Sequence, residues 1–147
     1  MIDVSGVGLV VNIKASNTFP SGFAVTQFAD DGDSITFDEM EIGGSAMGLN
    51  GDLVTWDKVA PINVPINVIP NGDDDINLGI LFEANRAGRG KKTAKDVITM
   101  TVIYPNGKST TLSGGRLLKG KPSNSVASEG RMTSKSYSFA FENITKS

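Results

Sequence analysis

Cysteine and histidine are both absent from the 147 residues. The first absence excludes a disulfide framework and thiolate metal sites. The second removes Ser-His-Asp and Cys-His catalysis, histidine-ligated zinc and the commonest general base. Aromatics are sparse at 7%. No apolar run approaches the roughly 20 residues that span a bilayer. The N-terminus shows no basic stretch leading into an apolar one, so the expectation is a protein made without an export step. Neither sign of charge dominates. The net charge of −2 lacks the basic excess usual in dedicated nucleic-acid binders. With 39% apolar and 20% charged residues, the chain suits one folded domain over 1–147. A domain of this length buries roughly two-thirds of its unfolded surface. The expectation is a binding or structural domain, not an enzyme, with no catalytic, cofactor or metal residues.

What is present reads mainly as strands. Val7, Leu9, Val11 and Ile13 alternate with Gly8, Val10 and Asn12. Ser16 to Gly22 reads as a turn, and a second strand runs from Phe23 to about Phe28. Ile35 and Phe37 open a third after the turn at Asp30, Asp31 and Asp33, and Leu53 to Trp56 is a short one. The cleanest is Ile62, Val64, Ile66 and Val68, alternating with Asn63, Pro65 and Asn67. Pro65 cannot donate to a ladder, so the expectation is a strand at an edge or one whose N–H side there faces away from a neighbour. Val97 to Tyr104 and Ser109 to Leu112 form a hairpin around Tyr104-Pro-Asn-Gly107. Tyr137, Phe139 and Phe141 line one face of the last strand. Two long loops remain, at 43–51 and 114–136.

One stretch, Asp73 to Gly88, reads as a helix. Asp73, Asp74 and Asp75 supply capping oxygens and negative charge at its start. Ile76, Ile80 and Ala84, with Leu81 beside them, form the face expected to be buried, and Gly88 is a stop signal. The expected fold is therefore mainly β: a two-sheet sandwich or half-barrel with one flanking helix at about 73–88.

Several motif-like stretches carry no chemistry. Gly115 to Lys121 has the spacing of a phosphate-binding loop, but Pro122 stands where Ser or Thr should hold magnesium. Asn71 to Asp75 could open a calcium loop, yet the sixth and twelfth positions are Ile76 and Phe82. Asn143-Ile-Thr145 matches a glycosylation sequon, which without export means little.

Arg86, Arg89, Lys91, Lys92 and Lys95 make the one dense basic patch. It reads first as a solvated segment at the helix C-terminus. Its functional reading is a subunit interface that meets an acidic patch, Asp73 to Asp75 or Asp30 to Asp33, on a neighbouring copy. Opposite charges on different faces of one subunit suit a head-to-tail ring. A phosphate or nucleic-acid contact is the third reading.

Six segments taken together resemble the bacteriophage tail tube proteins. They are Ser16-Asn-Thr-Phe-Pro-Ser-Gly-Phe23, Gln27-Phe-Ala-Asp-Asp31, Ala46-Met-Gly-Leu-Asn-Gly-Asp-Leu53, Val68-Ile-Pro-Asn-Gly-Asp-Asp-Asp75, Asp96-Val-Ile-Thr-Met-Thr-Val-Ile-Tyr-Pro-Asn-Gly107 and Tyr137-Ser-Phe-Ala-Phe-Glu-Asn143. The resemblance spans nearly the whole chain and contains no catalytic signature. It implies two packed sheets and a flanking helix, with six copies in a ring, and rings stacked into a hollow tail tube that passes DNA without binding it specifically. The implied partners are other copies and further tail proteins: sheath, tape measure, baseplate or terminator. The implied location is the virion tail, with the host cytoplasm during assembly, and related folds form the inner tubes of contractile injection systems. A different class stays open beside it: a monomeric β-sandwich that binds a ligand or carbohydrate, with Trp56 as its best aromatic.

Overall fold

Alternation of apolar and polar residues fixes the two central strands. In strand β5 (Ile62–Val68) every second side chain is buried, and β8 (Lys135–Phe141) repeats the pattern. The two pair antiparallel, Val64 opposite Phe139 and Ile66 opposite Tyr137, so their apolar rows lie on one face. The computed structural model describes residues 1–147. Its other elements are β1 (Val10–Ala15), β2 (Phe19–Val25), β3 (Gly43–Met47), β4 (Leu53–Asp57), α1 (Asp73–Asn85), β6 (Ile98–Ile103), β7 (Ser109–Lys119) and β9 (Asn143–Lys146).

Seven strands form one strongly bent sheet in the order β2-β1-β6-β7-β8-β5, with β9 also on β7. Strand β7 joins its two halves. Up to Gly115 it pairs with β6, it pairs with β9 over 110–113, and from Arg116 it pairs with β8. The bend falls at Gly114, whose φ of +66° suits glycine, and at Gly115, where a Cβ would enter the Phe141 ring. The inner faces of both halves share one core. Val11, Ile13, Ile98, Met100, Val102 and Leu112 come from one half, and the β5 and β8 residues from the other. The barrel is not closed. The second sheet is the β3–β4 hairpin alone. The expected mainly-β, two-sheet, one-helix architecture is what the molecule shows.

Pro65 sits on the outermost named strand, as an edge proline should. Residues 34–38 run along its free side, where Thr36 N donates to Pro65 O at 3.1 Å and Asp38 N to Asn63 O at 3.2 Å. The third strand expected from Ile35 is thus only this strap, with a single bridge between Ile35 and Ile66. The expected turn at 16–22 ends early, because β2 already begins at Phe19.

Both expected loops are corrected. Residues 43–51 hold β3 and a tight turn in which Gly51 N donates to Gly48 O at 3.0 Å. Glycines there spell loop in a sequence, yet Gly44 is needed inside a strand, because the Trp56 indole fills the place of its missing Cβ. Of 114–136, the start belongs to β7 and the end to β8. The remainder is tied down by a Val126–Met132 bridge and by Arg131, whose Nη2 lies 2.6 Å from Asp30 Oδ1. Strand β9 had no signal beyond Ile144, since all four of its residues are exposed.

The helix differs most. It ends at Asn85, not Gly88, and its N-cap is Gly72, without a side-chain cap. Its buried face is Asp74, Asp75, Leu78 and Leu81, while Ile76 and Ile80 face solvent. Of the face read from the sequence, Leu81 is buried and Ala84 half-buried, while Ile76 and Ile80 lie on the other side. Two aspartates occupy the inner face and two isoleucines the outer, so polarity does not report the orientation.

Candidate assembly surfaces

The acidic and basic residues singled out from the sequence lie at opposite ends of the helix, about 20 Å apart at 1.5 Å per residue. Only Asp73 of the acidic three is exposed. Asp74 Oδ2 accepts from the backbone N–H groups of Thr26 and Gln27, each at 2.8 Å. Asp75 is buried: Oδ2 accepts from Asn71 N at 2.9 Å and lies 3.3 Å from Lys135 Nζ, and Oδ1 accepts from Tyr137 Oη at 3.0 Å. Burial, followed by the charge and hydrogen bond of Asp75, holds the Tyr137 phenol above its ordinary value of 10.0. Asp74 and Asp75 therefore brace the helix against β2 and β8 and are not available to a neighbouring subunit.

The basic patch divides in two. Arg86 pairs with Glu83 at 2.7 Å, and Lys91 donates to the Glu83 and Arg86 carbonyls at the helix end. The Arg86 hydrogen bond and charge draw the Glu83 carboxyl below its ordinary value, against desolvation. Arg89, Lys92 and Lys95 are exposed and enter no ion pair. Asp30 pairs with Arg131, and Asp31 accepts from Ser134 Oγ at 2.6 Å. Half of the charges expected at an interface are thus spent inside the subunit.

Asp96 was not flagged by sequence reasoning as a site residue, and it ties three segments together. Its Oδ1 accepts from Asn17 N at 2.7 Å and Thr18 N at 2.9 Å, and its Oδ2 from Thr18 Oγ1 and from Asn85 Nδ2, the latter at 2.8 Å. Its own N–H donates to Asn85 Oδ1 at 3.0 Å. Burial alone would raise this carboxyl, but the bonds from Thr18, Asn85 and the two backbone N–H groups prevail and hold it below 3.8. A depressed carboxylate contributes stability that is complete above its unfolded value and lost as pH falls through the folded one. Asp96→Ala is expected to cost about 2 kcal/mol at neutral pH, since it leaves several part-buried donors without their acceptor. It should also flatten the acid limb of a pH–stability curve below about pH 4. Denaturant melts across that range check both.

Outside the N-terminal residues, exposed apolar side chains gather on the β3–β4 hairpin. Met47, Leu49, Leu53, Val54 and Trp56 all stand in solvent, Leu49 fully at 104%. Ile42 and Val59 flank the hairpin and are exposed too. A two-stranded hairpin is marginally stable alone, and exposed apolar side chains on both of its faces, Met47 and Leu53 on one and Val54 and Trp56 on the other, mark an interaction site. Its partner strands lie only within itself. The far edge of β2 is unpaired as well. No three His, Cys, Asp or Glu side chains converge as metal ligands, and no helix is long and apolar enough to cross a membrane.

Family membership follows from residues 2–145, which match the model of the family described as tail fiber protein gp32. The chain belongs to the tail fiber protein gp32 family. No curated protein matches it in sequence. Among solved structures, this gp32-family chain resembles one in the tube-terminating cap of the anti-feeding prophage. The identity is 13% and the TM-score 0.57, over 100% of this chain and 92% of that one. It also resembles a chain from the sheath/tube terminator of an extracellular contractile injection system, PVC, in the extended state. There the identity is 11% and the TM-score 0.57, over 100% and 98%. A chain from the anti-feeding prophage baseplate matches at 10% identity and TM-score 0.53, over 100% and 96%. At such identities the likeness is one of fold. The gp32-family chain is a phage-tail structural protein with the fold found in contractile injection particles. That is coarser than the tail tube subunit the sequence resemblance implies.

Proposed function

We propose that this protein is a non-enzymatic subunit that assembles with copies of itself into stacked, hexameric rings around a lumen, as a tail tube component that lets DNA pass without specific binding. The observation that carries this is the β3–β4 hairpin. Its apolar side chains stand half to fully exposed, and its strands pair only with each other. A subunit that stays monomeric has no use for that surface, whereas a neighbouring ring or subunit buries it. The free β2 edge supports the same reading, because pairing between copies turns an aggregation hazard into assembly. The fold shared with a tube-terminating cap and a sheath/tube terminator is consistent with tube or terminator subunits, with sheath and baseplate proteins as further partners.

Negative-stain microscopy of the purified protein tests the reading. Rings or tubes are expected, and a chain that stays monomeric at high concentration sinks it. Among charges, Arg89→Glu with Lys92→Glu is expected to lower tube yield severalfold, since each reversal places like charge opposite an acidic neighbour. The melting temperature should hardly move, because both side chains are exposed and unpaired. Lys91→Glu should instead lower the melting temperature, since Lys91 donates to the Glu83 and Arg86 carbonyls at the helix end. Unchanged yield in the double variant removes the basic patch from the interface.

A further inference from the structure

One stretch of the core has no cover. Strand β9 pairs with β7 through one edge only, placing Ile144 opposite Leu112 and Lys146 opposite Thr110. Leu112 and Thr110 belong to the buried inward row. Partners directly opposite in a ladder point to the same face, so Ile144 faces inward too. It is nonetheless 39% exposed. Across from it, Phe37 and Met40 are also partly exposed. Together with Ile62 and Tyr104 they line a groove of about 370 Å³. An inward-facing row open to solvent beside an unpaired strand edge is the signature of a missing strand.

The same chain carries a segment with the matching pattern. Residues Met1, Ile2, Val4 and Val7 are almost wholly exposed. Ile2 and Val4 alternate with Asp3 and Ser5, which puts both apolar side chains on one face of an extended segment. The hydrogen bonds of residues 1–7 are local, from Ser5 N to Asp3 Oδ1 and from Val7 N to Ser5 Oγ. Near-complete exposure means that the arm does not lie in its own groove. It leaves the body at Gly8, beside Pro105. Charges match as well. The groove carries Lys146 beside Asp38, and the arm carries Asp3, an opposite charge for Lys146.

We propose that residues 1–7 of a second copy of this chain lie along the seam between β9 and residues 37–40, seating Ile2 and Val4 against Ile144, Met40 and Phe37. The inference rests on the self-assembly reading but adds a contact separate from the hairpin. The hairpin tip is a poorer occupant, since its two strands already pair with each other and cannot lie along β9 as a single strand. The contact is heterologous: the arm of one copy meets the groove of the next, so it propagates from copy to copy.

The natural chain has no cysteine, which makes the test clean. Two single variants, Val4→Cys and Ile144→Cys, are purified separately, mixed and oxidised with diamide. Docking raises the effective thiol concentration to about millimolar, roughly a hundredfold above a 10 µM solution. The mixture should therefore give a disulfide-linked dimer about a hundredfold faster than either variant alone. A Val4→Cys/Ile144→Cys double variant should ladder into multimers. A compact monomer from the double variant means the arm closes its own groove and overturns the proposal. Preferred cross-linking of Leu49→Cys to Ile144→Cys overturns it in favour of the hairpin. Absent cross-links overturn it whatever else is seen. If micrographs still show tubes, the ring reading stands without the arm. If cross-linked ladders form without rings, the arm contact stands and the ring reading falls. Both substituted positions are exposed, and circular dichroism of each variant verifies the fold. Deletion of residues 1–6, remote from the core, should weaken association without lowering the melting temperature.

Discussion

Replacing Leu49 and Leu53 of the hairpin by aspartate should leave a folded monomer and abolish tubes or rings. Both side chains stand in solvent in the isolated subunit, Leu49 at 104% and Leu53 at 64%. Neither contributes to the core, so the change in folding free energy should stay within about 0.5 kcal/mol. Assembly reads the same substitutions differently. Burying one leucine against a neighbour is worth about 2 kcal/mol. Losing two therefore weakens each contact by roughly a thousandfold, since 1.4 kcal/mol is a factor of ten. The new carboxylates add a desolvation cost. Light scattering of the variant at concentrations where the natural chain assembles, alongside its thermal melt, separates the two effects. A variant that assembles normally removes the hairpin from the interface. A variant that unfolds shows that the hairpin stabilises the subunit itself.

The second large effect is expected at Asp75. Asp75→Ala should destabilise the subunit by about 3–5 kcal/mol, the usual consequence of breaking a buried ion pair by removing one partner. The change strands two groups. Lys135 loses the carboxylate 3.3 Å from its ammonium, and the Tyr137 hydroxyl loses its acceptor at 3.0 Å. For a domain of this size the melting point should fall by about 10 °C or more. Asp75→Asn keeps an acceptor for Tyr137 but no charge for Lys135, and should fall between. Asp75→Leu combined with Lys135→Met should recover part of the loss, because an apolar pair removes the desolvation cost from both sides. Full tolerance of Asp75→Ala in a thermal melt refutes this account. Alkaline conditions give a second readout. The raised Tyr137 value means its contribution is complete below pH 10 and declines above it, as the unfolded phenol ionises first. That decline should vanish in Tyr137→Phe.

Strand periodicity made the core readable from the sequence. The alternations at 62–68 and 137–141 named the buried residues of β5 and β8, and Pro65 marked the edge. The helix was legible as a helix but not in its orientation. Its inner face is set by what Asp74 and Asp75 bond to just after β2 and on β8, and those partners lie far away in sequence. Two glycines in the expected loops have one physical role. Gly44 and Gly115 are not flexible spacers but gaps that Trp56 and Phe141 fill, and only the paired strand reveals the ring that needs the space. The same non-locality hid Asp96, whose partners at positions 17, 18 and 85 meet only in the fold. The charged patches were visible as composition. Which charges are already satisfied within the subunit depends on neighbours that a linear reading does not supply.

The strand order carries a consequence for how the chain is made. β1 finds its inner neighbour only in β6, with Val11 opposite Val102, and β5 waits for β8, with Val64 opposite Phe139. At 5–20 residues per second, the stretch from Val11 to Val102 takes roughly 5–20 s to emerge from a ribosome. During that interval the β1–β2 and β3–β4 hairpins exist without the sheet that anchors them, and a hairpin alone is marginal. Nascent chains on one message therefore lack a completed docking face until their last strands are out. On the self-assembly reading proposed above, contacts between copies wait for the finished subunit.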